Sequence, residues 1–89
     1  MSRRQVTIVN KLGLHARAAA KLVATAGRFE SEIKLLKAHA EVNAKSILGV
    51  MMLAAAKGSE LTLIAEGIDE NDALDALENL IAHRFDEDE

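Results

Sequence analysis

Nothing covalent can staple this chain. It has no cysteine in 89 residues, so a disulfide framework and a thiolate zinc or iron–sulfur site are both ruled out. A domain this small must then hold together by regular packing. Single domains usually run to about 100 to 150 residues, so residues 1–89 form one domain with no room for a second. The apolar content is mostly aliphatic, with sixteen Ala, twelve Leu and only two aromatics, both Phe. Such a core is thin and built from closely approaching elements, and a large enzyme cleft is not expected.

The patterning supplies those elements. Gln5–Val9 alternates and is β-branched, which predicts a strand with Val6 and Ile8 on one face. Ala16–Ala26 is Ala-rich, free of Gly and Pro, and stops at Gly27, which predicts a helix. Glu32–Lys37 alternates again, and Ala40–Asn43 can pair back on it across Lys37-Ala38-His39. Ser46 then caps a short helix over Ile47–Ala56 with a Gly58 stop, and Glu60–Glu66 is the last alternating strand. Asp69–Arg84 carries Ala73, Leu74, Leu77, Leu80 and Ile81 on one stripe, with acids in the first turn and His83 and Arg84 in the last. Phe85 anchors an acidic tail, residues 86–89, expected to fray. The order β-α-β-β-α-β-α with alternating strands predicts a two-layer α/β (α+β) domain. Its antiparallel sheet is covered by helices on one face.

The formal charge of −3 conceals a division: residues 1–57 hold ten Lys or Arg against three Glu, and residues 58–89 hold one Arg against eleven acids. A basic half invites a nucleic-acid reading. However, Tyr and Trp are absent and the cations are dispersed, so no nucleic-acid partner is expected. A basic docking pole and a solvated acidic pole fit the division better. No window reaches the ~18 apolar residues of a membrane span, and no signal-peptide block follows Met1, so a soluble cytoplasmic protein without membrane insertion is expected. His15, His39 and His83 share no ligand spacing, so no metal is expected. Nucleophile-elbow and phosphate-loop motifs are absent too.

What stands out is Gly13-Leu14-His15-Ala16-Arg17-Ala18-Ala19-Ala20. A histidine at a helix start lies beside unpaired amides, here those of Ala16 and Arg17, and beside the positive end of the dipole, a ready site for a dianion. The same field favours a neutral, nucleophilic ring. After attack on phosphorus, those amides and the forked Arg17 donors would hold the phosphoryl oxygens. The same residues also fit a plainer reading, with His15 an exposed loop residue and Arg17 a routine surface cation.

The second helix is apolar all round, with Ile47, Leu48, Val50, Met51, Met52 and Leu53, and a two-layer domain can bury one face of it. The remainder is either an adaptable partner surface or the half-covered edge of a crowded core. Ser46 caps this helix. A phosphate there would add roughly two negative charges beside the apolar residues and repel acidic partners.

At these residues the chain resembles the HPr family, the histidine-containing phosphocarriers of the bacterial phosphoenolpyruvate-dependent phosphotransferase system. Asn10–Ala19 is similar to the family's phosphorylation motif and Lys45–Leu53 to its serine-site motif. The resemblance implies an open-faced sandwich with strand order 1-4-2-3 and three helices on one face. It also implies phosphorylation on the His15 ring nitrogen nearer the backbone, receipt from enzyme I and onward transfer to an enzyme IIA. The docking surface would combine the first helix at Ala20 with Ile47, Leu48, Met51 and Met52 of the second. The sequence around Ser46 resembles the site used by HPr kinase/phosphorylase. Many members carry Pro at the position of Ala18, where it would rigidify the first turn. That Ala, the Asn10–Leu14 wording and the acidic ending resemble the nitrogen-related NPr branch more than the sugar-transport branch.

The leading expectation is therefore a monomeric phosphoryl carrier, not an enzyme and with no cofactor of its own, serving sugar transport or nitrogen-related regulation. In this reading His15 is acceptor and donor, and the Ala16 amide and Arg17 stabilise the phosphate. A regulatory binding module acting through the second helix or Ser46 is the alternative. A small-molecule-binding domain on the open sheet face is a third, disfavoured by the lack of converging polar side chains.

Overall fold

Ile33 and Leu35 flank Lys34 in one strand, and Leu61 and Leu63 flank Thr62 in another. In the computed structural model, which describes residues 1–89, all four side chains are buried against helices. The chain runs β1 (Ser2–Thr7), α1 (Ala16–Ala26), β2 (Glu32–Lys37), β3 (Ala40–Asn43), α2 (Ile47–Met52), β4 (Glu60–Glu66) and α3 (Glu70–Ala82). The strands form one antiparallel sheet in the order β1-β4-β2-β3, as the resemblance implied. Register places Val6 opposite Leu61 and Leu35 opposite Leu63, so the apolar set of each strand lands on the same face. Leu22 of α1, Val50 of α2, and Leu74, Leu77 and Ile81 of α3 close the core from above. Each such buried aliphatic side chain contributes about 1.5–3 kcal/mol. No helix is long and apolar enough to cross a membrane.

Several boundaries differ from the sequence reading. β1 begins at Ser2 rather than Gln5, because Arg3 and Arg4 pair with Ile64 and Leu63 of β4. Arg4 also reaches across to Asp75 and Glu78 of α3. α2 ends at Met52, not Ala56: Leu53 turns into the core, Ala54 adopts a left-handed φ of 50°, and Ala55 is buried. Burial of Leu53 and Ala55 outweighs the helix propensity of the Ala run. The Lys37 ammonium takes up the freed carbonyls, donating to Leu53 O at 3.2 Å and Ala54 O at 3.3 Å.

α3 also stops early, at Ala82, so His83 and Arg84 lie past its last turn rather than within it. Arg84, Phe85 and Asp86 follow with φ of 58°, 53° and 63°, a left-handed turn that reverses the chain. Three consecutive residues in this region are costly for L-amino acids. The turn is held by the fully buried Phe85 ring and by Lys21 of α1, which donates to Phe85 O at 2.6 Å. The acidic residues 86–89, expected to fray, are instead directed back over the start of α1. There the Lys11 N–H donates to Glu89 O.

Candidate functional site

The segment leading to α1 is fixed at both ends before it reaches His15. Ile8 is buried and continues the β1–β4 ladder, donating to Ser59 O and accepting from Gly58 N–H. Asn10 is fully buried, and its side-chain NH2 donates to Gly13 O at 2.8 Å while its backbone carbonyl accepts from Gly13 N–H at 3.2 Å. Leu14 N–H then donates to Ala55 O at 2.8 Å. The segment that follows the shortened α2 thus supplies the carbonyl against which this loop is seated.

His15 emerges as the N-cap of α1, with extended backbone at φ −72°, ψ 176°. Its Nδ1 lies 3.3 Å from the Arg17 N–H, and its Nε2 lies 2.5 Å from Oε2 of Glu87. A backbone N–H can only donate and an ionised carboxylate can only accept. The two contacts therefore select one neutral tautomer, with the proton on Nε2 and the lone pair on Nδ1. The ring presents its nucleophilic nitrogen to the N-terminus of α1, where the unpaired amides and the dipole favour an anion.

Glu87 is itself held. Its second oxygen accepts from the Asn10 side chain at 3.1 Å, so one buried amide ties the loop to the tail. The hydrogen bond from His15 is the main reason that the Glu87 carboxyl sits below the usual glutamate range. Asn10 and the charge of Lys21 act in the same direction, and burial opposes them. Lys11, Leu12, Ala16 and Arg17 share one shallow depression with His15 and residues 87–89. The last three residues of the acidic half therefore lie in the basic site rather than apart from it.

The structure brings His15, Ala16 and Arg17 together, with Ala16 and Arg17 exposed. Ala20 is exposed further along α1, and α2 packs beside that helix. Of the two readings of α2, an open apolar surface holds: Ile47, Leu48, Met51 and Met52 are 46%, 68%, 41% and 75% exposed. Ser46 caps α2, its Oγ accepting from Gly49 N–H at 3.1 Å. His39 is exposed in the β2–β3 turn, and His83 lies at the end of α3 with Nδ1 2.7 Å from Asn79 O.

Sequence reasoning missed Glu87 as part of the site, and it gave Asn10 of the motif and the basic residue Lys21 no contact there. The available signal was Phe85, an apolar anchor two residues before Glu87, which the chain would have to bury near α1.

Residues 2–83 match the family described as PTS HPr component phosphorylation site. The chain is 57% identical over 89 residues to the phosphocarrier protein HPr of Cupriavidus necator, with all of each chain covered. Among solved structures it is similar to HPr-C-His from Thermoanaerobacter tengcongensis, with a TM-score of 0.96, 46% identity and 100% of both chains covered. It is also similar to an HPr dimer from that organism, with a TM-score of 0.79 and 47% identity over 98% of this chain and 100% of the other. With likeness of this extent in sequence, strand order and backbone, the chain belongs to the HPr phosphocarrier family of the phosphotransferase system.

Proposed function

We propose that this phosphocarrier accepts a phosphoryl group from phosphorylated enzyme I on Nδ1 of His15 and passes it to an enzyme IIA, acting as a protein substrate in the cytoplasm. The observation that carries this reading is the pair of contacts on the His15 ring, Glu87 at Nε2 and the Arg17 N–H at Nδ1, which leave an unprotonated Nδ1 facing the exposed first turn of α1. Its contact with Arg17 N–H is long at 3.3 Å, so that donor can pass to an incoming phosphoryl oxygen as the N–P bond forms. The Ala16 amide and the Arg17 guanidinium then share the phosphoryl charge. Both partners dock on the apolar residues of α2 with Ala20 of α1. The shallowness of the site suits a carrier, since its phosphohistidine has to meet successive proteins.

The test is incubation with phosphoenolpyruvate and enzyme I, followed by mass measurement and acid treatment. Gain of one acid-labile phosphate, lost in His15→Ala, is expected. A wild-type chain that stays unmodified, or a His15→Ala variant that keeps the activity as a binding module would, refutes the assignment.

A further inference from the structure

We propose that Glu87 is a positioning residue for phosphoryl transfer at His15: its carboxylate holds the ring in the Nε2–H tautomer and balances the charge that the ring acquires. This inference rests on the carrier reading above and adds a residue outside the helix-start motif. The contact is built rather than incidental. Glu87 Oε2 lies 2.5 Å from Nε2, the two side chains are 16% and 29% exposed, and Oε1 is fixed by buried Asn10. The left-handed turn at Arg84–Asp86 delivers Glu87 to this place, with Phe85 buried beneath it. A chain that adopts three positive φ angles in succession needs compensation, and the docked tail supplies some of it.

The chemistry follows from proton position. Neutral imidazole with hydrogen on Nδ1 has no lone pair there to attack phosphorus, so any population of that tautomer is idle. In the Nε2–H form the Nδ1 lone pair forms the new N–P bond. The N–P bond of the donor phosphohistidine breaks, and its electron pair returns to the donor ring. The His15 ring now carries a positive charge with hydrogen still on Nε2, and the Glu87 carboxylate accepts from that hydrogen and stabilises the charge. Onward transfer reverses these steps and returns the neutral Nε2–H ring. The surrounding charged groups are Lys11 of the loop, Arg17 and Lys21 of α1, and Asp88 and Glu89 beside Glu87. None of their side chains has a hydrogen bond to either ring nitrogen; the Arg17 contact with Nδ1 comes from its backbone N–H.

The test compares the full-length wild type with Glu87→Gln. One arm measures the rate of phosphorylation by enzyme I and phosphoenolpyruvate, and the other reads the ring tautomer by ¹⁵N NMR at about pH 8.5, above the ordinary histidine range. The wild type is expected in the Nε2–H form. Glu87→Gln is expected to mix tautomers and to slow phosphorylation roughly tenfold, the loss of one charge-assisted hydrogen bond. An unchanged rate or an unchanged tautomer in a folded Glu87→Gln chain overturns the proposal, and so does a wild-type ring protonated on Nδ1, whatever the variant does. Failure of the wild type to accept phosphate removes the carrier reading itself, a result distinct from an active wild type with an equally active variant.

Discussion

Gly13 is pressed against Ala55 so closely that a Cβ at Gly13 would stand 2.4 Å from the Ala55 carbonyl oxygen. Its φ of 64° is left-handed as well, so both the space and the backbone require glycine. That oxygen is the one that accepts from Leu14 N–H, immediately before His15. Gly13→Ala is expected to cost about 2–4 kcal/mol in urea denaturation and to slow phosphoryl transfer by displacing His15. A variant of wild-type stability would show that this loop is not seated as described.

Two alanines show the opposite situation. Ala38, in the β2–β3 turn, has φ 54°, and Ala54, after α2, has φ 50°. An L-residue in this region gives up about 1–2 kcal/mol, while glycine carries about 0.5–1 kcal/mol of extra unfolded-state entropy. Ala38→Gly and Ala54→Gly are each expected to stabilise the protein, by about 0.5–1 kcal/mol, seen as a higher urea midpoint at unchanged slope. A fall in stability at either position would contradict its left-handed backbone.

These positions also show how far the sequence could be read. The alternation in Glu32–Lys37 and Glu60–Glu66 and the Gly27 stop of α1 are local signals, and those three elements have the bounds they suggest. The end of α2 is not local. Ala54, Ala55 and Ala56 are good helix formers, and only the need of Leu53 and Ala55 for the core, together with the Leu14 N–H seeking a carbonyl, ends the helix at Met52. Of the site, the His15–Arg17 arrangement was visible because its residues are adjacent. Glu87 was not, since it lies seventy-two positions away and reaches His15 through a left-handed turn at residues with no glycine to announce it.

The docked tail carries a pH dependence whose sign is fixed. The Glu87 carboxyl is held below the ordinary value of about 4.3, first by the His15 hydrogen bond. A depressed carboxyl stabilises the fold above its unfolded pKa and loses that contribution as pH falls through its folded pKa. Docking of residues 86–89 should thus persist through pH 5 and release only below the ordinary glutamate range, which an NMR titration of the Glu87 carboxyl would follow. In His15→Ala that titration should move upward. If it does not move, the His15 contact is not what holds the carboxyl down.

Ser46 separates a structural role from an electrostatic one. Its Oγ accepts from Gly49 N–H at 3.1 Å, so Ser46→Ala should cost about 1 kcal/mol. Asp is as good an N-cap and suits the helix dipole, so Ser46→Asp should keep that stability. The charge, however, would lie at the head of the helix that exposes Leu48, Met51 and Met52. If acidic partners dock there, Ser46→Asp should slow phosphorylation by enzyme I roughly tenfold, equivalent to about 1.4 kcal/mol of lost binding, chiefly through KM. Ser46→Ala should remain near wild type at temperatures where it is folded. Equal rates in the two variants would place the docking surface away from the start of α2, and a loss in Ser46→Ala alone would assign the effect to helix stability rather than charge.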